Sequence, residues 1–92
     1  MLELIITGQY KKDFRRMEKR GKDMKKLDTV IEMLCKEEVL PESYSDHPLH
    51  GESKGCRECH IEPDWLLIYR SDKKGLVLVT LRTGSHSDLR FG

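Results

Sequence analysis

The residues best suited to chemistry in this chain are its four histidines, His47, His50, His60 and His86. All four lie outside the two segments that have helical periodicity: two in a central loop, one near a predicted strand end and one in the C-terminal tail. Histidine titrates near neutral pH and therefore suits general acid–base catalysis. Each histidine taken singly is more often a surface or packing residue, so the argument depends on whether they come together.

The predicted strands would bring some of them together. If the last three strands form an antiparallel meander, His60 and Asp64 lie at one edge of the sheet, near Arg82 and His86. Two proton-transfer groups and a cation are what cleavage of RNA by its own 2′-hydroxyl requires. One group removes the 2′-OH proton, one protonates the 5′ leaving oxygen, and the cation stabilises the charged phosphorane. This edge of the sheet is therefore a candidate active site.

A second pattern, Cys56-Arg57-Glu58-Cys59-His60, matches the C-x-x-C-H spacing of covalent haem attachment. Haem attachment of this kind belongs to exported proteins, and cysteines three residues apart on a strand point to opposite sides. A zinc site formed by Cys56, Cys59 and His60 with His47 or His50 is the alternative, in a binding or interaction module. A lone C-x-x-C is a weak signal, and two small half-buried strand residues would explain it as well.

Two aromatic residues remain open in role. Trp65 begins a predicted strand beside Asp64, where it could fill the core or stack on a base. Phe91 is the next-to-last residue of a polar tail, where it could stack on a nucleotide or fix the tail in place.

The elements that would position these residues follow from apolar periodicity and turn residues. A first strand is predicted at Leu2–Thr7. An amphipathic helix through Tyr10, Phe14 and Met17 ends at Gly21, and a second runs from about Asp23 to Glu37. After a loop from Val39 to Lys54, three strands are predicted at Cys56–Ile61, Trp65–Arg70 and Leu76–Thr83. The order β-α-α-β-β-β predicts an α+β domain over residues 1–92, with an antiparallel sheet packed on two N-terminal helices.

Composition limits the class of protein. The 92 residues leave no room for a separate cofactor domain, and 36% of them are charged, yet the net charge is only +1. The charges are segregated: residues 11–26 hold nine basic and three acidic residues, whereas residues 28–46 hold six acidic and one basic. A uniformly basic coat protein is excluded, but a basic helix that binds phosphates or an acidic partner is not.

The chain has no apolar run long enough to cross a membrane. Its N-terminus is not expected to be a signal peptide, because no basic residues precede the short apolar stretch and no small-residue cleavage site follows it. Its three cysteines are an odd number without an export signal, which favours free thiols in the cytoplasm.

Several longer segments resemble one family, the RelE-type toxins of bacterial toxin–antitoxin pairs, and within it the YafQ branch. They are TGQYKKD at 7–13, KRGKDMKKL at 19–27, DHPLHG at 46–51, KGCRECHIEPDWLLIY at 54–69 and RTGSHSDLRFG at 82–92. The resemblance covers nearly the whole chain and implies the RelE-like β-α-α-β-β-β fold. It also implies ribosome-dependent cleavage of mRNA in the A site, without a cofactor or metal.

The same resemblance implies site residues. From its motifs, His47, His60, Asp64 and His86 are expected to be catalytic, with His86 and Asp64 as the best pair for proton transfer. The residues expected to contact RNA are Arg82, Trp65 and Phe91, more weakly Lys54 and Arg57, and on the basic helix Lys11, Lys12, Arg15 and Arg16. Cys56 and Cys59 depart from the family pattern, and His50 has no role in it.

The expected partners are a cognate antitoxin of the DinJ type, in a hetero-oligomer, and the 70S ribosome with its mRNA and rRNA; no membrane is expected. A gyrase-inhibiting toxin of the ParE-like branch is the rival with the same fold. That branch does not use a histidine-rich cleavage site, so the histidines argue against it.

Overall fold

Five strands form one sheet in the order β1-β5-β4-β3-β2 in the computed structural model, which describes residues 1–89 apart from the Glu52 side chain. The strands are β1 (Glu3–Ile6), β2 (His47–Pro48), β3 (Arg57–Glu62), β4 (Trp65–Asp72) and β5 (Val77–Gly84), and the helices are α1 (Gly8–Lys19) and α2 (Met24–Cys35). Two single 3₁₀ turns occupy the loop, at Glu42–Tyr44 and Gly51–Ser53. Within residues 1–89, no helix is long and apolar enough to span a membrane.

The predicted α+β class and the antiparallel meander are confirmed: β3 pairs antiparallel with β4, and β4 with β5. Two features go beyond the prediction. β1 pairs parallel with β5, so the sheet is mixed, and the two-residue strand β2 within the predicted loop pairs with β3. Strand β2 is too short and too polar to show an apolar alternation in the sequence.

Both helices begin at residues whose side chains cap them. The Thr7 hydroxyl accepts a hydrogen bond from the Tyr10 amide at 3.1 Å, and the Asp23 carboxylate accepts one from the Lys25 amide at 3.1 Å. Helix α2 buries its apolar face, which comprises Leu27, Val30, Ile31, Leu34 and Cys35. Helix α1 buries a narrower stripe of Tyr10, Asp13 and Met17, one of which is charged.

Apolar residues fill both faces of the sheet. On the face covered by the helices, Trp65, Leu67 and Tyr69 of β4 pack with helix residues. On the other face, Leu66 and Ile68 pack with Leu89 of the C-terminal segment, beside partly buried Leu49, Cys56 and Leu81. A strand covered on both faces is apolar throughout, as β4 is over Trp65–Tyr69. The C-terminal segment is therefore part of the packed structure up to Leu89.

Candidate active site

A histidine–carboxylate pair lies where the β3–β4 turn meets the C-terminal segment. The Nδ1 atom of His86 is 2.6 Å from Oδ1 of Asp64, and the backbone N–H of His86 donates to the same oxygen at 2.9 Å. Both side chains are exposed. The backbone and side-chain hydrogen bonds from His86 hold the pKa of Asp64 below its usual value, so Asp64 is a carboxylate at neutral pH. The pair leaves the Nε2 atom of His86 free to exchange a proton.

Three of the four histidines form a row. The ring of His60 lies between those of His86 and His47, with centroids 5.7 Å and 6.4 Å away. The Nδ1 atom of His60 is buried and has no hydrogen-bond partner among the described residues. His50 is exposed before the second 3₁₀ turn and stands outside this row. The predicted convergence of His60, Asp64 and His86 at one edge of the sheet is thus what the topology produces, and His47, expected at the site only from the family resemblance, lies beside them.

His47 has a carboxylate partner that sequence reasoning missed. Its Nε2 atom is 3.3 Å from Oε1 of Glu58, which is directly opposite His47 in the β2–β3 register. The signal was present in part, because positions 58 and 60 alternate onto the same face of a strand. Without the two-residue strand β2, however, nothing in the sequence placed His47 against that face.

Arg82 is held by a carboxylate rather than left free at the site. Its Nε and Nη2 atoms donate to the carboxylate oxygens of Asp13 at 2.7 Å and 3.3 Å, which turns the guanidinium towards helix α1. Asp13 is fully buried and also accepts hydrogen bonds from Arg16, Gln9 and the Thr83 amide. Burial raises the pKa of Asp13, but the hydrogen bonds, first that of Arg82, outweigh burial and keep the pKa below its usual value. A detectable signal existed: Asp13 falls on the buried stripe between Tyr10 and Met17.

Three other residues predicted to contact RNA have partners within the protein. Trp65 is fully buried, and its indole N–H donates to Thr83 Oγ1 at 2.9 Å, so it is a core residue that cannot stack on a base. Arg57 donates to Asp46 at 3.3 Å and borders a pocket with Leu2 and Leu34 on the helix-covered side, away from the histidines. Arg16 points inward to Asp13.

The remaining residues predicted to contact RNA are exposed or lie outside the described residues. Lys54 and, on helix α1, Lys11, Lys12 and Arg15 are exposed. Phe91 lies outside the described residues.

The two cysteines of the C-x-x-C-H pattern pack on opposite faces of the sheet. Cys59 is fully buried in the cluster under the helices, where burial raises the pKa of its thiol to about 12, while Cys56 packs beside Leu66 and Ile68. They do not share a ligand set, so the zinc and haem alternatives fail at this motif. Within residues 1–89, no group of three or more His, Cys, Asp or Glu side chains could hold a metal ion.

The fold is a small α+β domain, and the exposed histidine–carboxylate pair at one edge of its sheet suits acid–base chemistry on a large substrate. The family model described as "Bacterial toxin of type II toxin-antitoxin system, YafQ" matches residues 2–91. The chain belongs to this family.

Named relatives agree with the assignment. The mRNA interferase toxin YafQ of Escherichia coli K12 is 46% identical over 91 residues, which cover 98% of this chain and 96% of the relative. The toxin in the E. coli DinJ–YafQ complex superimposes with a TM-score of 0.89 at 41% identity over the full length of both chains. A metal-bound toxin from Helicobacter pylori superimposes with a TM-score of 0.92 at 41% identity, over 98% of this chain and all of the other.

Proposed function

We propose that this protein is the toxin of a type II toxin–antitoxin pair and a ribosome-dependent endoribonuclease that cleaves mRNA in the A site. The observation that carries the proposal is the His86–Asp64 pair, in which one carboxylate oxygen accepts from both the backbone and the ring of His86. The name of the E. coli relative, an mRNA interferase, supports the same activity. Because translating ribosomes are the site of action, the proposal places the protein in the cytoplasm.

The chemistry is a transfer of protons around the scissile phosphate. The 2′-oxygen attacks the adjacent phosphorus as its proton leaves, and the 5′-oxygen departs as it gains a proton. The proposal gives His86 one of these transfers through Nε2, with the carboxylate of Asp64 stabilising the imidazolium when it forms. Asp64 therefore orients and supports His86 rather than exchanging protons with RNA itself, which refines the expectation from sequence.

The other two histidines of the row supply the second transfer and contact the phosphate. His60 is next to His86, and His47 lies against the carboxylate of Glu58, so two of the three rings in the row have a carboxylate partner. The proposal assigns both transfers to this row without dividing acid from base among its members. Lys54 and Arg82 are the proposed phosphate contacts, the latter through Nη1, which has no hydrogen bond to residues 1–89.

The partner proposed for regulation is an antitoxin of the DinJ type. A relative with the same fold is seen in a complex with DinJ. Helix α1 exposes Lys11, Lys12 and Arg15 together, which fits either an acidic antitoxin or ribosomal RNA. An antitoxin bound on this surface would also prevent docking on the ribosome.

The direct test compares His86→Ala with His50→Ala in cleavage of an mRNA on programmed ribosomes. Loss of one positioned proton-transfer group is expected to reduce the single-turnover rate about 100-fold or more. His50→Ala removes an exposed histidine outside the row and should cleave at the wild-type rate. Full activity of His86→Ala, with mRNA ends mapped to the same positions, would refute the assignment.

A further inference from the structure

The C-terminal segment that carries His86 is built as a short turn closed by Asp88. The backbone N–H of Ser85 donates to Asp88 Oδ2 at 2.9 Å, and the backbone N–H of Asp88 donates to Ser85 Oγ at 3.2 Å. The Leu89 amide donates to the Ser85 carbonyl at 3.1 Å, and Leu89 is buried under the sheet. His86 is therefore part of a hydrogen-bonded turn and not of a free tail.

An arginine at the C-terminal end of helix α1 binds this turn. The guanidinium of Arg20, just beyond the last residue of α1, donates from Nη1 to Asp88 Oδ2 at 2.6 Å and from Nη2 to Asp88 Oδ1 at 2.9 Å. This is the bidentate geometry that fixes both partners in orientation. Arg16 contributes only a longer contact, with Nε 3.9 Å from Asp88 Oδ2. Among residues 1–89, Arg20 is the one that binds the side chain of Asp88 through two short hydrogen bonds.

The close approach of the turn to the strand also depends on Gly84. A Cβ atom at Gly84 would lie 2.9 Å from Cβ of Asp88 and 3.0 Å from its Oδ2, closer than such atoms can approach. The chain thus places its smallest residue where Asp88 must fold back against the end of β5. Asp88 is held on one side by Arg20 and on the other by this contact.

We propose that Arg20 is a positioning residue, whose ion pair with Asp88 holds the Ser85–Asp88 turn so that His86 stays against Asp64. The inference rests on the proposed function, because it assigns Arg20 to the same proton-transfer site. His86 and Asp64 are both exposed, so little else packs around the pair to fix it. A displacement of about 1 Å at a reacting group can cost about 100-fold in rate, so this distant contact matters for turnover.

This assignment separates Arg20 from its basic neighbours. A cation that contacts RNA raises affinity, and its loss weakens binding in a salt-dependent way. A cation that positions His86 changes the rate at saturation and leaves binding unaltered. Lys19 is the matched control, since it is adjacent, exposed and has no ion pair with residues 1–89.

The experiment measures single-turnover cleavage on programmed ribosomes as a function of protein concentration for wild type, Arg20→Ala, Arg20→Lys and Lys19→Ala. We expect Arg20→Ala to reduce the maximal rate about 10-fold with a half-saturating concentration within about twofold of wild type. Arg20→Lys keeps the positive charge but cannot donate two parallel hydrogen bonds to Asp88, so its maximal rate should lie between those of Arg20→Ala and wild type. Lys19→Ala should keep the maximal rate. A change in half-saturating concentration alone in Arg20→Ala would make Arg20 an RNA contact and overturn the proposal.

A double-mutant cycle with Asp88→Ala tests whether Arg20 acts through Asp88. The double variant should cleave no more slowly than Asp88→Ala alone, because the pair is already broken. If the double variant instead lost activity by the product of the two single effects, Arg20 would not act through Asp88. The His86 ring resonances, followed by NMR in the free protein, should move in Arg20→Ala and not in Lys19→Ala. Unchanged His86 resonances in Arg20→Ala would refute the positioning role. If those resonances move but the wild-type protein does not cleave mRNA, only the proposed function is refuted.

Discussion

A histidine whose Nδ1 is bound to a carboxylate has a defined ring orientation, and its proton chemistry is confined to Nε2. His86 is in this state, and its backbone N–H donates to the same Asp64 oxygen that its ring contacts, so this oxygen is bound by His86 in two ways. The hydrogen bonds that lower the pKa of Asp64 keep its negative charge in place near neutral pH. In the proposed site, then, His86 is a proton-transfer group with a fixed counter-charge on Asp64.

Removing that charge while keeping the shape tests the role of Asp64. Asp64→Asn retains an oxygen that can accept from His86 but cannot stabilise a positively charged imidazole, so the single-turnover rate should fall about 10- to 100-fold. Asp72→Asn, at the exposed β4–β5 turn, is the matched control and should have the wild-type rate. A wild-type rate for Asp64→Asn would mean that the pair is structural only.

At the level of secondary structure, the basic residues of helix α1 and of its C-terminal end fall into two groups with different surroundings. Arg16 and Arg20 face Asp13 and Asp88, whereas Lys11 and Arg15 border a groove with the apolar side chains of β1. Residues four apart share a face of a helix, so the two pairs belong to two faces with different roles. The basic segment seen in the sequence is thus part structural and part surface.

Asp13 should be the most important charged residue for the stability of this arrangement. Its pKa is lower in the folded state, so its contribution to stability is complete above the ordinary value of 3.8 and is lost as pH falls through the folded value. Asp13→Asn should cost about 3 kcal/mol of unfolding free energy at pH 7, because a buried ion pair loses one partner. The difference from wild type should shrink below about pH 4.

Urea unfolding at pH 7 and pH 3 measures both effects. Asp23→Asn is a suitable control, because asparagine caps a helix as well as aspartate does and Asp23 is exposed. A loss for Asp13→Asn that is equal at the two pH values would show that the carboxylate charge does not contribute.

For the whole molecule, the near-zero net charge conceals a surface with distinct regions. Lys11, Lys12 and Arg15 are exposed on α1, whereas the basic groups nearest the C-terminal segment are paired internally. On helix α1, the cationic surface open to a partner therefore centres on Lys11, Lys12 and Arg15 rather than on the arginines paired with Asp13 and Asp88.

Reversing these three charges tests that surface. Lys11→Glu, Lys12→Glu and Arg15→Glu together should weaken ribosome binding about 10-fold or more at physiological salt and flatten its salt dependence. The matched control reverses Arg70, Lys73 and Lys74, which are exposed on and beside the β4–β5 turn. Ribosome pelleting measures the affinity, and unaltered binding of the α1 variant would leave the antitoxin as the only partner proposed for this surface.

Both helices and the three-stranded meander could be predicted from the sequence, whereas the two-residue strand β2 and the parallel pairing of β1 with β5 could not. Apolar periodicity is a local property, and antiparallel connectivity brings His60 and Asp64 to the edge of the sheet at which β5 ends and the segment with His86 begins. For the same reason, cysteines three residues apart could be expected on opposite sides of a strand, as Cys56 and Cys59 are.

Which charged and aromatic side chains remain available to a ligand depends on tertiary packing. The sequence leaves both Trp65 and Arg82 open to contact with RNA. In the structure Trp65 fills the core, and Asp13 binds Nε and Nη2 of Arg82, so Nη1 is the nitrogen of that guanidinium without a hydrogen bond to residues 1–89. The partners of Arg82 and Arg20 are 69 and 68 residues away along the chain. Ion pairs of this kind depend on the distance between side chains after packing, and local sequence patterns carry no information about that distance.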